Sequence, residues 1–308
     1  MSQPDWTARD IPSLKGKIAV VTGANSGLGF HAACELARKE AQVIMACRSV
    51  SRAQAALEQI RAEAPGAAVE ILPLDLSSQE SITCFVKAFQ EKYTHLHILI
   101  NNAGVMGIPL RKTAEGFEMQ FGTNHLGHFA LTGRLLETLL NTPDSRVVTV
   151  SSMMHQLGVI NFEDLMGEKK YDPWKAYSQS KLANLLFAYE LQRKLSARGA
   201  STRSLGAHPG YSATHLQFVG AEMQGSGLQR WLNQVANTLF AQPAAMGALP
   251  ELYAATAPQA QGGTYIGPNR WNGSRGYPTM VKSSKRSYDQ AAAAQLWQVS
   301  EKLTGVSY

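Results

Sequence analysis

Residues 17–29 read KIAVVTGANSGLG, and this stretch decides the fold. KIAVVT is short, apolar and rich in β-branched side chains, which suits a strand buried on both faces. Gly23, Gly27 and Gly29 follow, and FHAACELARKE continues with helical periodicity. A strand, a glycine turn and a helix start leave backbone N–H groups where a phosphate can approach them. One glycine permits the tight turn; the others let backbone approach phosphate and helix approach sheet. The spacing is G-x-x-x-G-x-G, with Asn25, Ser26 and Leu28 among the glycines. It predicts a dinucleotide diphosphate seated on the helix N-terminus, lined by these residues.

Outward from that turn the pattern repeats. A second strand, AQVIMA, runs into Cys47 and Arg48. An acid there would hold the adenosine ribose hydroxyls and indicate NAD(H). Arg48 instead matches a 2′-phosphate, so the sequence points to NADP(H) in preference to NAD(H). VEILPLDLS brings Asp75 and Leu76 to the adenine side, and HLHILINNAG brings Asn102, Ala103 and Gly104 to a strand's carboxyl end. Ligands bind at that edge in open α/β sheets. Strands and helices alternate to about residue 210, no linker or repeat divides the chain, and TYIGP reads as the last strand. The expected fold is α/β, one Rossmann-type domain over 1–308 with a doubly wound parallel sheet of about seven strands. RSYDQAAAAQLWQVSEKLTG reads as a terminal helix, with Ser287 as its cap and Gly305 after its end.

YSQSKLANLLFAYELQRKL reads as a long amphipathic helix, so Tyr177 and Lys181 share a face. A cation beside a phenol favours the phenolate, which suggests a proton donor or acceptor for neutral pH.

These motifs in this order, TGANSGLG, NNAG, Asn124 in FGTNHLGHF, RVVTVSS, the Tyr177/Lys181 pair and HPG, resemble the short-chain dehydrogenase/reductase family along nearly the whole chain. MACRS, SSMMH and HPGYSAT bring the retinol dehydrogenase-like group nearest, with protochlorophyllide reductases and the WW-domain oxidoreductase close by. The resemblance implies roles. Tyr177 would be the general acid or base, and Lys181 would lower its pKa and hold the nicotinamide ribose. Ser152, rather than Ser151, would bond the substrate oxygen, while Asn124 would hold a relay water. Pro209, Gly210 and Thr214 would close over the nicotinamide. Ser152 and Tyr177 stand about twice as far apart as in short members, with an insert over about 153–174 as in retinol dehydrogenase-like members. His155 in that insert suits a substrate contact and a loop role equally.

Residues 211–242 read as a lid, and Phe218, Trp231 and Leu232 suit a bulky apolar substrate. The implied activity is hydride transfer between nicotinamide and an alcohol or carbonyl. Light-driven reduction of a porphyrin-like double bond and a non-enzymatic NADP-binding sensor or scaffold are the alternatives. A homo-oligomer through two long helices, about 114–141 and 174–197, stays open.

The formal net charge of +6 comes without a run of five like charges or a nucleic-acid motif. Cys34, Cys47 and Cys84 form no C-x-x-C pair, which suits free thiols in the cytoplasm. His125 and His128 lack a third ligand, so no metal is expected. No apolar run is long enough to span a membrane, and a small-molecule substrate is the expected partner.

Overall fold

β-Branched runs and helical repeats alternate along the chain, and the elements follow them. The computed structural model describes residues 5–212 and 242–308. Its first half alternates β1 (Ile18–Thr22), α1 (Gly27–Arg38), β2 (Gln42–Cys47), α2 (Val50–Glu63), β3 (Val69–Pro73), α3 (Gln79–Gln90) and β4 (Ile98–Asn101). The helical stretch α4 (Met119–Phe121), α5 (Gly127–Arg134) and α6 (Leu136–Leu140) leads to β5 (Arg146–Val150). After it come α7 (Pro173–Ala197), β6 (Arg203–Ala207), α8 (Ala244–Thr256), β7 (Tyr265–Arg270), β8 (Arg275–Val281) and α9 (Gln290–Thr304).

The strands form one sheet in the order β3-β2-β1-β4-β5-β6-β7-β8. The order reverses between β1 and β4, and the resulting crevice at their carboxyl ends is where ligands bind in such sheets. Adjacent residues of β1 pack on opposite faces. Ala19 and Val21 join the core beneath α1, α2 and α8, whereas Val20 joins the core with Phe89, Phe129 and Phe187 from α3, α5 and α7. Burial on both faces explains why the β1 run shows no alternation of apolar and polar residues.

Three expectations shift. TYIGP forms β7, but β8 follows it as an antiparallel edge strand. RGYPTMV has no continuous apolar run, and it pairs because a tight turn with Asn272 at φ 52° folds it back on β7. Ser287 does not cap the last helix. It is buried in the short turn Lys285–Tyr288, and Asp289 accepts from the Ala292 N–H instead. Gly305 does end that helix, in the left-handed conformation at φ 68°. The helix expected from about 114 begins at Met119, where the Glu118 carboxylate accepts from the N–H groups of Gln120 and Phe121. It then contains a π-helical turn, Gly122–Leu126, around Asn124.

The insert forms a 3-10 turn, Met153–Leu157, and then a loop docked on α7. The Asn161 N–H donates to Gln179 Oε1, and Gln179 Nε2 donates to the Leu165 carbonyl. Of the expected lid, only Tyr211, Ser212 and Gln242 are described; Thr214, Phe218, Trp231 and Leu232 lie outside the described residues.

Candidate active site

The glycine turn makes a cradle for an anion. Gly23 and Gly27 hold φ of 68° and 56°, where a side chain is strained. A Cβ on Gly29 would lie 2.5 Å from Asn102 Nδ2 and 2.6 Å from the Gly23 carbonyl, so only glycine lets α1 approach this closely. Ser26 stands at the N-cap of α1, yet its side chain accepts no capping hydrogen bond, and the first turn holds no acid. The first amides of α1 therefore favour an incoming negative charge, as a diphosphate requires. Asn25 precedes the cap, and the Leu28 side chain reaches toward Gly247 of α8.

Thr22, at the end of β1, organises the neighbouring turn. Its Oγ1 accepts from the N–H groups of Asn102 and Ala103, each at 2.9 Å. Asn102 Nδ2 donates to the Thr22 carbonyl at 2.7 Å. Arg48 is exposed just beyond β2 and makes no ion pair among the described residues. Asp75 Oδ1 accepts from the N–H and Oγ of Ser77 at 2.9 and 2.6 Å, while Leu76 is buried. Across the crevice, the Pro209 carbonyl accepts from Ser212 Oγ and Gln242 Nε2, both at 2.7 Å. Gly210 turns at φ 68°.

α7 starts at Pro173, capped by the Asp172 carboxylate on the N–H groups of Trp174 and Lys175. One turn further, Tyr177 and Lys181 are both buried. Lys181 Nζ donates to the Val150 carbonyl at 3.1 Å and lies 5.7 Å from the Tyr177 ring centroid. It also lies beside Gly104. Ser152 comes directly off β5. His155 Nδ1 donates to the Ser152 carbonyl at 2.6 Å, and Ser152 Oγ accepts from the Met154 N–H at 3.2 Å on the side of the Tyr177 phenol. Ser151 is turned away, its Oγ donating to the Lys181 carbonyl at 2.8 Å.

The electrostatics differ from expectation. Burial pushes the Tyr177 phenol up to about 12, and Ser152 pulls it the other way. Lys181, with its ammonium held on Val150 and 5.7 Å from the ring centroid, does not outweigh that burial. Burial brings Lys181 itself down to about 8, opposed by the charge of Glu251. At neutral pH the phenol is a proton donor and the lysine a cation.

Asn124 is fully engaged with protein. Its Oδ1 accepts from the Val105 N–H at 2.8 Å, and its Nδ2 donates to the Val105 carbonyl and to Ser180 Oγ, each at 2.9 Å. A relay water would therefore have to use its backbone carbonyl. His125 and His128 are both engaged elsewhere, on Ser300 and on Thr22 with Asn124. His155 takes its loop role, with Nε2 accepting from the Ser284 N–H.

Two residues escaped the sequence reading. Glu251 of α8 is buried, and neither carboxylate oxygen has a hydrogen-bond partner among the described residues. LPELY gave no warning, because α8 looks apolar throughout. Trp174 is 47% exposed, edge-on to Tyr177 at 6.5 Å between centroids, with Gly107 under its indole. Its place three residues before Tyr177 was the available signal.

The family model for short chain dehydrogenase matches residues 17–223. Human retinol dehydrogenase 11 is 40% identical over 293 residues, covering 95% of this chain and 87% of that protein. Human polyprenol dehydrogenase is 40% identical over 303 residues, covering 96% and 87%. The crystal structure of an uncharacterized protein from Mycobacterium paratuberculosis superposes with a TM-score of 0.82 at 43% identity, covering 99% of each chain. The chain thus belongs to the short-chain dehydrogenase family and is an NAD(P)-dependent oxidoreductase of CH–OH and C=O groups.

Proposed function

We propose that this oxidoreductase prefers NADP(H) and reduces the carbonyl of a bulky, apolar small molecule, with Tyr177 as the proton donor. The observation that carries the reading is the buried phenol, kept protonated by burial, beside Ser152 and one turn from Lys181. The cofactor, when bound, supplies a hydride to the carbonyl carbon. Gly23, Asn25, Ser26, Gly27, Leu28 and Gly29 cradle its diphosphate, and Arg48 pairs with the 2′-phosphate. Asp75 and Leu76 would flank the adenine, while Asn102, Ala103, Gly104, Pro209 and Gly210, with Thr214 on the family resemblance alone, would hold the nicotinamide half.

Ser152 holds the substrate oxygen and stabilises the negative charge that develops there. Tyr177 gives that oxygen its proton. Lys181 binds the nicotinamide ribose, and its positive charge limits the cost of the phenolate left behind. A proton returns through Lys181 and a water on the Asn124 carbonyl. Relatives named for retinol and polyprenol, both extended apolar alcohols, support the substrate class.

The same reading takes residues 1–308 as one domain, with a lid over about 211–242 and an insert over about 153–174 shaping the substrate end. It also places the enzyme in the cytoplasm, supported by the free thiols Cys34, Cys47 and Cys84. Among the described residues, no helix is long and apolar enough to cross a membrane.

The test is NADPH consumption in the dark with a panel of apolar aldehydes and ketones, retinal included. Turnover that Tyr177→Phe abolishes, with NADPH binding retained, supports the reading. Wild-type activity in Tyr177→Phe refutes the donor, and tight NADPH binding without turnover of any carbonyl refutes the reaction.

A further inference from the structure

The buried imidazole of His128 sits between two parts of the proposed site. Its Nδ1 is 2.9 Å from the Asn124 carbonyl, and its Nε2 is 2.9 Å from Thr22 Oγ1. The side chain is 1% exposed. Burial holds the ring neutral, pushing it down to about 4, so it carries a single ring proton at pH 7.

The partners fix where that proton lies. A carbonyl only accepts, so Nδ1 carries the hydrogen and donates to Asn124. Nε2 is then an acceptor, and the Thr22 hydroxyl donates to it. The same hydroxyl oxygen accepts from the N–H groups of Asn102 and Ala103. The Ile100 carbonyl, at 3.3 Å, is the longer of the two acceptors open to the Thr22 hydroxyl, and reversing the tautomer would break the imidazole bond to Asn124.

The two ends differ in kind. Asn124 lies in the π-helical turn Gly122–Leu126, a register in which helix carbonyls lose their regular i+4 partners. Thr22 lies at the carboxyl end of β1, where it holds the Asn102–Ala103 turn. We infer that His128 is a positioning residue that ties the π-helical turn of Asn124 to the cofactor-facing turn of Asn102 and Ala103. It sets the aim of the Asn124 carbonyl with one nitrogen and, through Thr22, the aim of the nicotinamide-side turn with the other. The inference rests on the NADPH-binding site and relay proposed above.

Two conservative variants separate the arms. His128→Asn keeps an amide near the Nδ1 position, able to donate to Asn124 but too short for Thr22. His128→Gln reaches toward Thr22 and gives up the bond to Asn124. NADPH dissociation constants are measured by nicotinamide fluorescence, kcat by NADPH consumption, and folding by thermal melting. His128→Asn is expected to raise the NADPH dissociation constant about tenfold, with kcat within threefold of wild type. His128→Gln is expected to lower kcat about tenfold, with NADPH binding within threefold. Thr22→Val should weaken NADPH as His128→Asn does, and the Thr22→Val/His128→Asn double variant should bind no more weakly than Thr22→Val alone.

Equal changes in both readouts from both histidine variants would overturn the clamp, as would a lower melting temperature with neither readout moved. Additive losses in the double variant would also overturn it. Unchanged NADPH binding in Thr22→Val would overturn the inference as well, even where the histidine variants do not fold. The binding arm needs no turnover, so it separates failure of the clamp from failure of the proposed reaction, which Tyr177→Phe tests.

Discussion

Replacing Glu251 by glutamine should stabilise the protein far more at pH 8 than at pH 5. Unfolded, the carboxyl titrates from its ordinary value of 4.5; in the fold, burial raises it to about 8, against the pull of Lys181. Between those values the folded protein keeps a proton that the unfolded chain has released. Folding then takes up a proton, and stability falls as pH rises. The slope is about 1.4 kcal/mol per pH unit, so the carboxyl costs about 4 kcal/mol between pH 5 and pH 8. Lys181 does not mask this, because its lowered pKa of about 8 acts between there and its ordinary 10.5. In that upper range the folded state binds fewer protons than the unfolded, and stability rises with pH. Glutamine has the shape of the protonated acid and cannot ionise. The assay is urea unfolding of both proteins at pH 5, 6.5 and 8, read as the difference between them. Buried histidines contribute equally to each and cancel. A difference growing by about 4 kcal/mol toward pH 8 supports the reasoning. A flat difference would mean that Glu251 is solvated or paired, and would refute it. Loss of the carboxylate also removes the attraction that raises Lys181, so the alkaline limb of kcat should move to lower pH.

Arg48→Asp should raise the KM for NADPH about tenfold or more and leave NADH nearly unaffected, since a charge-assisted phosphate contact contributes about 1.5–3 kcal/mol; equal effects on the two would remove the 2′-phosphate role. Trp174→Ala should raise KM for the bulkiest apolar carbonyls about tenfold with kcat little changed, as an exposed indole beside Tyr177 offers about 1–1.5 kcal/mol to a flat substrate. Steady-state kinetics against small and large aldehydes would show it. Asp289→Ala should cost about 1 kcal/mol and lower Tm by about 2 °C through loss of the bond from Ala292, and Ser287→Ala should not act as a cap loss.

The dinucleotide half was legible because local chemistry dictates it. A strand buried on both faces must be apolar throughout, and a helix that approaches a strand turn as closely as α1 does must carry glycine at Gly29. Tyr177 and Lys181 were legible because helical spacing places them on one face. What was not legible depends on partners distant in sequence. The expected effect of Lys181 on the phenol assumed proximity alone. The outcome depends on the Val150 carbonyl, which holds the ammonium, and on burial of the ring. Ser287 does not cap α9 because it is buried with its hydroxyl donating to the Ser284 carbonyl, which leaves the cap to Asp289. β8 lacks an apolar run because it is an edge strand, and its pairing comes from the turn at Asn272. Glu251 was unreadable because its significance lies in having no partner, which only the packed interior reveals.

The two outer strands share a feature that bears on crowding. β3 ends in Pro73, and β8 carries Pro278 opposite Pro268, next to an irregularity in register. Proline offers no N–H, so neither rim presents an unbroken row of donors and acceptors to a strand from another molecule. Glu70 on β3 is held by Lys92, which adds charge at the other rim. An open sheet of eight strands is otherwise a template for edge-to-edge growth. Such rims disfavour recruitment of further copies into a continuous sheet, and Pro278→Val would be expected to shorten the time to aggregation on storage.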